Sequence, residues 1–128
     1  MVDRTHWLHN CTFPAQVRSA SRTRDFVTQH LAEDDLSYLA EDVRLVASEL
    51  ATNAALHART PFRVSLGQCA RVVVLVVRDG SLSAPQRVDA HVMDTHGRGL
   101  LLVDYVSHDW GVTEVPGGFK SVWASFMT

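Results

Sequence analysis

A chain of 128 residues is long enough to bury one hydrophobic core and too short for two, so a single domain is expected. Hydrophobic residues at 46% and charged residues at 20% make an ordinary soluble composition. A formal net charge of -2 recruits neither a nucleic-acid backbone nor an anionic membrane, and no such partner is expected.

The N-terminal MVDRTHW lacks a basic-then-apolar leader, and its first six residues should be loose. The apolar run VVVLVV is far too short to span a bilayer. Cys11 and Cys69 show neither metal-ligand spacing nor a CxxC pair, so they read as reduced, partly buried thiols. The expectation is a cytoplasmic protein.

WLHNCTF (7–13) alternates weakly up to Pro14 and predicts a short strand, of the kind found at a sheet edge. From Ser19, SASRTRDFVTQHLAE is helical, with Phe26, Val27, Leu31 and Ala20 on its apolar side. Asp34 and Asp35 then offer a cap for the next helix. That helix, residues 36–58, is the longest, with Leu39, Val43, Val46, Leu50 and Ala54 forming one stripe. Arg59-Thr60-Pro61 ends it. PFRVSLG and ARVVVLVVRDG predict two strands with a turn at Gly67-Gln68; the second is rich enough in valine for a central strand. Residues 79–98 have no clean period and predict a loop, with one helical turn at Val88–Val92. A short apolar helix follows to Val106, then a strand at Trp110, a hairpin turn at 116–118, and a final alternating strand in FKSVWASF. This order predicts a two-layer α/β (α+β) sandwich: a mixed, mostly antiparallel sheet with helices on one face.

The long helix contains SELATNAALHA, residues 48–58, where Glu49, Asn53 and His57 recur every fourth position. On a wheel of about 100° per residue with Glu49 at zero, Asn53 falls at about 40° and His57 at about 80°. The stripe residues span roughly 60° to 120°. Glu49 therefore lies at the edge of the buried face and Asn53 inside it, where an unpaired polar group costs several kcal/mol. A protein partner, a ligand or a metal would relieve that cost. From this helix alone a plainer reading leads: a boundary carboxylate, an amide bridging to the loop, and a histidine capping the C-terminus.

Two other features point to a ligand. VVVLVVRDG ends a core strand in Asp79-Gly80, placing an acceptor beside a residue that permits close approach, although Asp-Gly also suits an ordinary turn. THGRGLLLVD sets Gly97, Arg98 and Gly99 before an apolar helix, where exposed amides make an anion site. No P-loop, no dinucleotide glycine fingerprint and no serine elbow is present. His91, Asp94 and His96 form H-x-x-D-x-H, a spacing that polar loops also produce by chance.

Taken together, ELATNAALHA, VVRDGSLSAP, HGRGLLLVDYVSHDWGV and GGFKSVW resemble the N box, the two glycine boxes and the closing strand of the GHKL ATPase superfamily. The resemblance covers roughly residues 19–127 and is nearest to the small anti-sigma-factor serine kinases of actinobacteria. It implies the Bergerat ATP-binding fold, one histidine-kinase-like ATPase domain over 1–128, and ATP and Mg2+ as cofactors. By the same resemblance Asn53 would ligate magnesium, and Glu49 would orient or deprotonate the attacking hydroxyl. Asp79 would accept from the adenine amino group, with Gly80 letting the purine lie close. Gly97, Arg98, Gly99 and Leu100 would surround the phosphates with amides. His57 matches the histidine closing the N box, and Lys120 a lysine near the pocket. The fuller first glycine box is Asp-x-Gly-x-Gly; here Ser81 and Ser83 stand after Gly80 and neither later glycine is present. Only 17 residues separate Asp79 from Gly97, a short ATP lid like that of the small kinases. The implied function is a protein-serine kinase that phosphorylates a small anti-sigma-factor antagonist and sequesters a sigma factor, with a homodimer possible. The alternative is a weakly catalytic or non-catalytic nucleotide-binding module that sequesters such a partner.

Overall fold

The structure, a computed structural model, describes residues 6–80, 97–115 and 118–128. Strand β1 (His6–Phe13) leads into helix α1 (Arg18–Glu33), a 3₁₀ turn (Ser37–Leu39) and helix α2 (Ala40–Asn53), which widens into a π turn (Ala54–Ala58). Strands β2 (Phe62–Cys69) and β3 (Val72–Asp79) follow, then helix α3 (Gly97–Val106) and strands β4 (Asp109–Val115) and β5 (Phe119–Met127). The strands form a five-stranded sheet in the order β1-β2-β3-β5-β4. Each of its four ladders is antiparallel, a simpler sheet than the mixed one expected. The predicted edge strand is at an edge, and the valine-rich strand is central.

Period-two alternation sorts the strands into a helix-facing and an open side. Val73, Leu75, Val77 and Asp79 are buried along β3 while Val72, Val74, Val76 and Arg78 are only partly so. The buried row meets Phe62, Val64 and Leu66 of β2 and Ala124 and Phe126 of β5. Helices α1 and α2 cover it through Val27, Leu31, Val43, Val46 and Leu50. Each large apolar side chain in this layer contributes about 1.5–3 kcal/mol over its exposed state. Two polar residues share the buried side of α1. Ser19 Oγ donates to Pro14 O at 2.6 Å and Thr23 Oγ1 to Ser19 O at 2.7 Å, which is why they can replace apolar residues there. Ala20 and Phe26, expected on that face, flank it instead.

Three expectations give way here. Asp34 and Asp35 do not cap the second helix; they end the first. Asp35 is left-handed (φ 60°), its N–H donates to Ala32 O at 3.2 Å, and Leu36 N–H donates to Leu31 O at 2.8 Å. That pair of bonds is a Schellman closure, sealed by the buried side chains of Leu31 and Leu36. Gly67 and Gln68 are not a turn but strand residues, paired with Val74 and Val73. The two-residue turn is Ala70-Arg71, with Ala70 at φ 56° supplying the positive φ such hairpins need. At Gly67 a Cβ would lie 3.0 Å from Trp7 O, so the glycine lets β1 approach closely. Finally, the long helix is not one α-helix over 36–58, because the 3₁₀ turn and the π turn bracket its α segment.

At the far end of α1, Gln29 and His30 hydrogen-bond the two oxygens of Glu33 and hold its carboxyl below the usual carboxylate range. Of the two thiols, Cys11 is half-buried as expected, whereas Cys69 is exposed beside the hairpin turn. No helix among the described residues is long and apolar enough to cross a membrane.

Candidate functional site

The buried arc of α2 runs through Val43, Val46, Ala47, Leu50 and Ala51 and on to Ala54. Glu49 and Asn53 are both half-buried on its flank. Asn53 is thus at the margin of the apolar face, not inside it. The small side chains of Ala47 and Ala51 let the helix sit down on the side away from Asn53, which moves the centre of burial. One turn apart on the same flank, the carboxylate and the amide are neighbours.

His57 does not join that line. It is exposed, in the π turn, where wider winding takes it off the α-helical wheel. Arg59, left-handed at φ 57°, ends the turn. Thr60 then accepts the Gly80 N–H on its Oγ1 at 3.1 Å, tying the chain that leaves the N-box helix to the end of the central strand. The π turn itself packs against β3. Sequence reasoning passed over Thr60; its one signal was a hydroxyl placed before Pro61, where the backbone is held extended.

Asp79 closes the buried row of β3, with only 4% of its surface exposed. Its register partners are Phe62 on one side and Lys120 on the other. Lys120 Nζ lies 4.0 Å from Asp79 Oδ2, with the lysine side chain 37% exposed. A partly solvated pair at that distance contributes little stability, but it places a positive charge beside a buried carboxylate. Lys120 is the second residue of β5, so it faces the same side as Asp79, at the base of the sheet. Next to it on that side, Glu114 of β4 pairs with Lys120 and Val112 with Val122. Val112 is 46% exposed, so among the described residues this corner of the helix-facing side is only partly covered. Behind the strand end, Arg78 lays its guanidinium over the Phe119 ring at 4.5 Å.

At Gly80 an added Cβ would make ordinary contacts, 3.6 Å from Thr60 Oγ1 and 3.7 Å from Phe119 Cε1. Protein packing does not demand a glycine there. Gly97, Arg98, Gly99 and Leu100 form the first turn of α3; the two glycines belong to the helix where the sequence placed them before it. The amides of a first turn have no carbonyl partner within the helix, so the anion-binding capacity is kept. Helix α3 packs on α2, joining the phosphate-type element to the one that carries Glu49 and Asn53. Ser81, Ser83, the turn at Val88–Val92 and the His91, Asp94 and His96 triple lie outside the described residues.

The donor set suits a magnesium nucleotide. It offers an amide oxygen and a carboxylate on one helical flank, a buried acceptor at the end of a core strand, and a helix N-terminus. No curated protein matches the chain. The sequence profile of the histidine kinase-like ATPase domain matches residues 13–125, from the last residue of β1 nearly to the end of β5. With that span and this antiparallel sheet under its helices, the chain belongs to the histidine kinase-like ATPase domain family, whose chemistry rests on bound ATP.

Proposed function

We propose that the protein is an ATP- and magnesium-dependent regulatory kinase of the anti-sigma type, transferring a phosphoryl group to a serine on a small anti-sigma-factor antagonist. The observation that carries this reading is Asp79. It is a carboxylate buried at the open end of the central strand, with Lys120 opposite and Gly80 pinned by Thr60. A carboxylate at a strand end, beside a glycine that lets a flat group approach, is placed to accept from a donor on a ligand, and the exocyclic amine of adenine is such a donor.

In this reading Asp79 accepts from the base, and the side-chain-free space at Gly80 admits the purine edge. Lys120, directly opposite Asp79, acts at the base end and not at the phosphates. The first turn of α3, Gly97 to Leu100, donates amides to the phosphate chain. Asn53 offers magnesium one hard oxygen ligand. Magnesium ATP, when bound, supplies the transferable γ-phosphoryl with its charge partly neutralised. Glu49, one turn before Asn53, orients the serine hydroxyl and takes its proton. His57, exposed in the π turn, contributes at the rim. The same surface would hold a sigma factor, and a homodimer is part of the proposal.

Calorimetry with ATP, with and without magnesium, tests the site. Asn53→Ala is expected to weaken magnesium-dependent binding about 10–100-fold, the worth of a charge-assisted contact. Glu49→Ala should bind ATP normally and lose phosphoryl transfer to the antagonist. Unchanged affinity in Asn53→Ala would sink the metal assignment. Normal binding with no transfer by the wild-type protein would leave a nucleotide-binding module that acts by sequestration.

A further inference from the structure

Away from that corner, the helix-facing row of β1 meets one stripe of α1. Alternation puts Trp7, His9, Cys11 and Phe13 on one side of the strand, all at least half-buried. On α1, Phe26, His30 and Glu33 follow one another at spacings of four and three, one helical stripe. The His9 and His30 rings stack at 3.7 Å between centroids with 11° between planes. Phe26 meets His30 edge-on at 4.8 Å, and Trp7 lies 5.3 Å from His9. Glu33 Oε1 is 2.9 Å from His30 Nδ1, and Gln29 Nε2 donates to the other carboxylate oxygen at 3.2 Å. One potential ligand atom from each of His9, His30 and Glu33 falls within 4.8 Å of the others, the one such convergence of three among the described residues.

We infer that His9, His30 and Glu33 form a binding site for a zinc-class divalent cation, separate from the nucleotide site. Two imidazoles and a carboxylate are a ligand set that zinc accepts with bonds of about 2.0–2.2 Å. Tetrahedral bonds of that length put neighbouring ligand atoms roughly 3.3 Å apart. The His30–Glu33 separation is already close to that, and the cation replaces the proton the pair now shares. Gln29 supplies the outer hydrogen bond that orients a ligating carboxylate. Phe26 and Trp7 flank the two imidazoles and keep them close together at the interface of β1 and α1. With three protein ligands, a fourth position is left for water or a partner's side chain.

The stacked pair also sets what binding must change. A metal lies in the plane of each imidazole it binds, and two nearly parallel planes have no common point between them. Stacking and chelation therefore exclude one another, and one ring must turn about its Cβ–Cγ bond to bind. Trp7, beside His9, reports that turn. His9 pairs with Leu66 and Leu66 with Leu75, two strands and four residues from Asp79, or about 16 Å by strand spacing. The ion is therefore a structural or regulatory ligand, well removed from the base acceptor.

The test is zinc titration of the chelator-treated full chain, followed by calorimetry and tryptophan fluorescence. One saturable equivalent with a change in Trp7 emission is expected. His9→Phe and His30→Phe keep a ring in each place without a ligand atom; each should weaken binding about tenfold or more while far-ultraviolet dichroism stays native. Glu33→Gln should do the same. The double variant His91→Ala/His96→Ala should bind zinc as the wild type does. Absence of saturation, undiminished affinity in both phenylalanine variants, or loss of binding in the His91/His96 double variant overturns the site.

Discussion

Helices α1 and α2 end in opposite ways. α1 stops in a Schellman closure, with carbonyls satisfied and Leu36 folded back onto Leu31. α2 loosens into a π turn, keeps Glu49 and Asn53 half-buried on its flank, and stops only at a left-handed arginine. Both exits use a non-glycine residue at positive φ, so the difference is not in the stop itself. It lies in what the last turns carry. One terminus is finished by packing, and the other brings polar groups and an altered helical pitch against the central strand, as functional helix ends often do.

Breaking the packed end should cost the most. Leu36→Ala removes a buried side chain from the closure and is expected to lower unfolding free energy by about 2–5 kcal/mol, read by urea denaturation, while the nucleotide affinity of the folded fraction is unchanged. Asn53→Ala should do the reverse, losing ligand binding with a stability change of less than about 1 kcal/mol. A large stability loss at Asn53 would erase the contrast. An intermediate effect belongs to the strap between the two regions. Thr60→Val strips the Gly80 N–H of its acceptor, at about 1 kcal/mol, and Gly80 amide exchange should quicken; Thr60→Ser should restore it. The smallest effect is a gain: Asp35→Gly relieves a left-handed side chain and should stabilise by roughly 0.5 kcal/mol. A loss there would mean that the aspartate makes a contact the closure depends on.

Most of the architecture was legible because its signals are local. Valine alternation predicted β3, apolar spacing predicted α1 and α2, and glycines marked the entry to α3. What was missed required knowledge of neighbours. Gly67 reads as a turn residue until β1 is seen crowding it. Asp34 and Asp35 read as an N-cap because a cap and a closure draw on the same residue types, and only the backbone at Asp35 separates them. The wheel put Asn53 too deep because alanines, weak in a hydrophobic count, carry much of the α2 contact. It misplaced His57 because a π turn has no periodic signature. At the site, the boxes named Asp79 and Lys120 separately; their meeting across β3 and β5 is a matter of register, which motif spacing does not encode.

Gly111 illustrates the same dependence on the other side of the sheet. A Cβ there would fall 2.8 Å from the Trp123 indole, so the ring lies flat across its β4 neighbour and any side chain must displace it.

The hairpin at Ala70-Arg71 has a kinetic consequence. It joins β2 and β3, the middle of the sheet, across two residues, whereas β1 reaches β2 only around both helices and β5 reaches β3 only after the whole segment carrying α3. Loop closure makes those pairings late. The central hairpin should therefore form early, as should the equally local β4–β5 ladder closed by Val115 and Phe119, with β1 and the β3–β5 pairing added later. Destabilising substitutions at the Ala70 turn should slow refolding, while those at Phe126 should chiefly hasten unfolding.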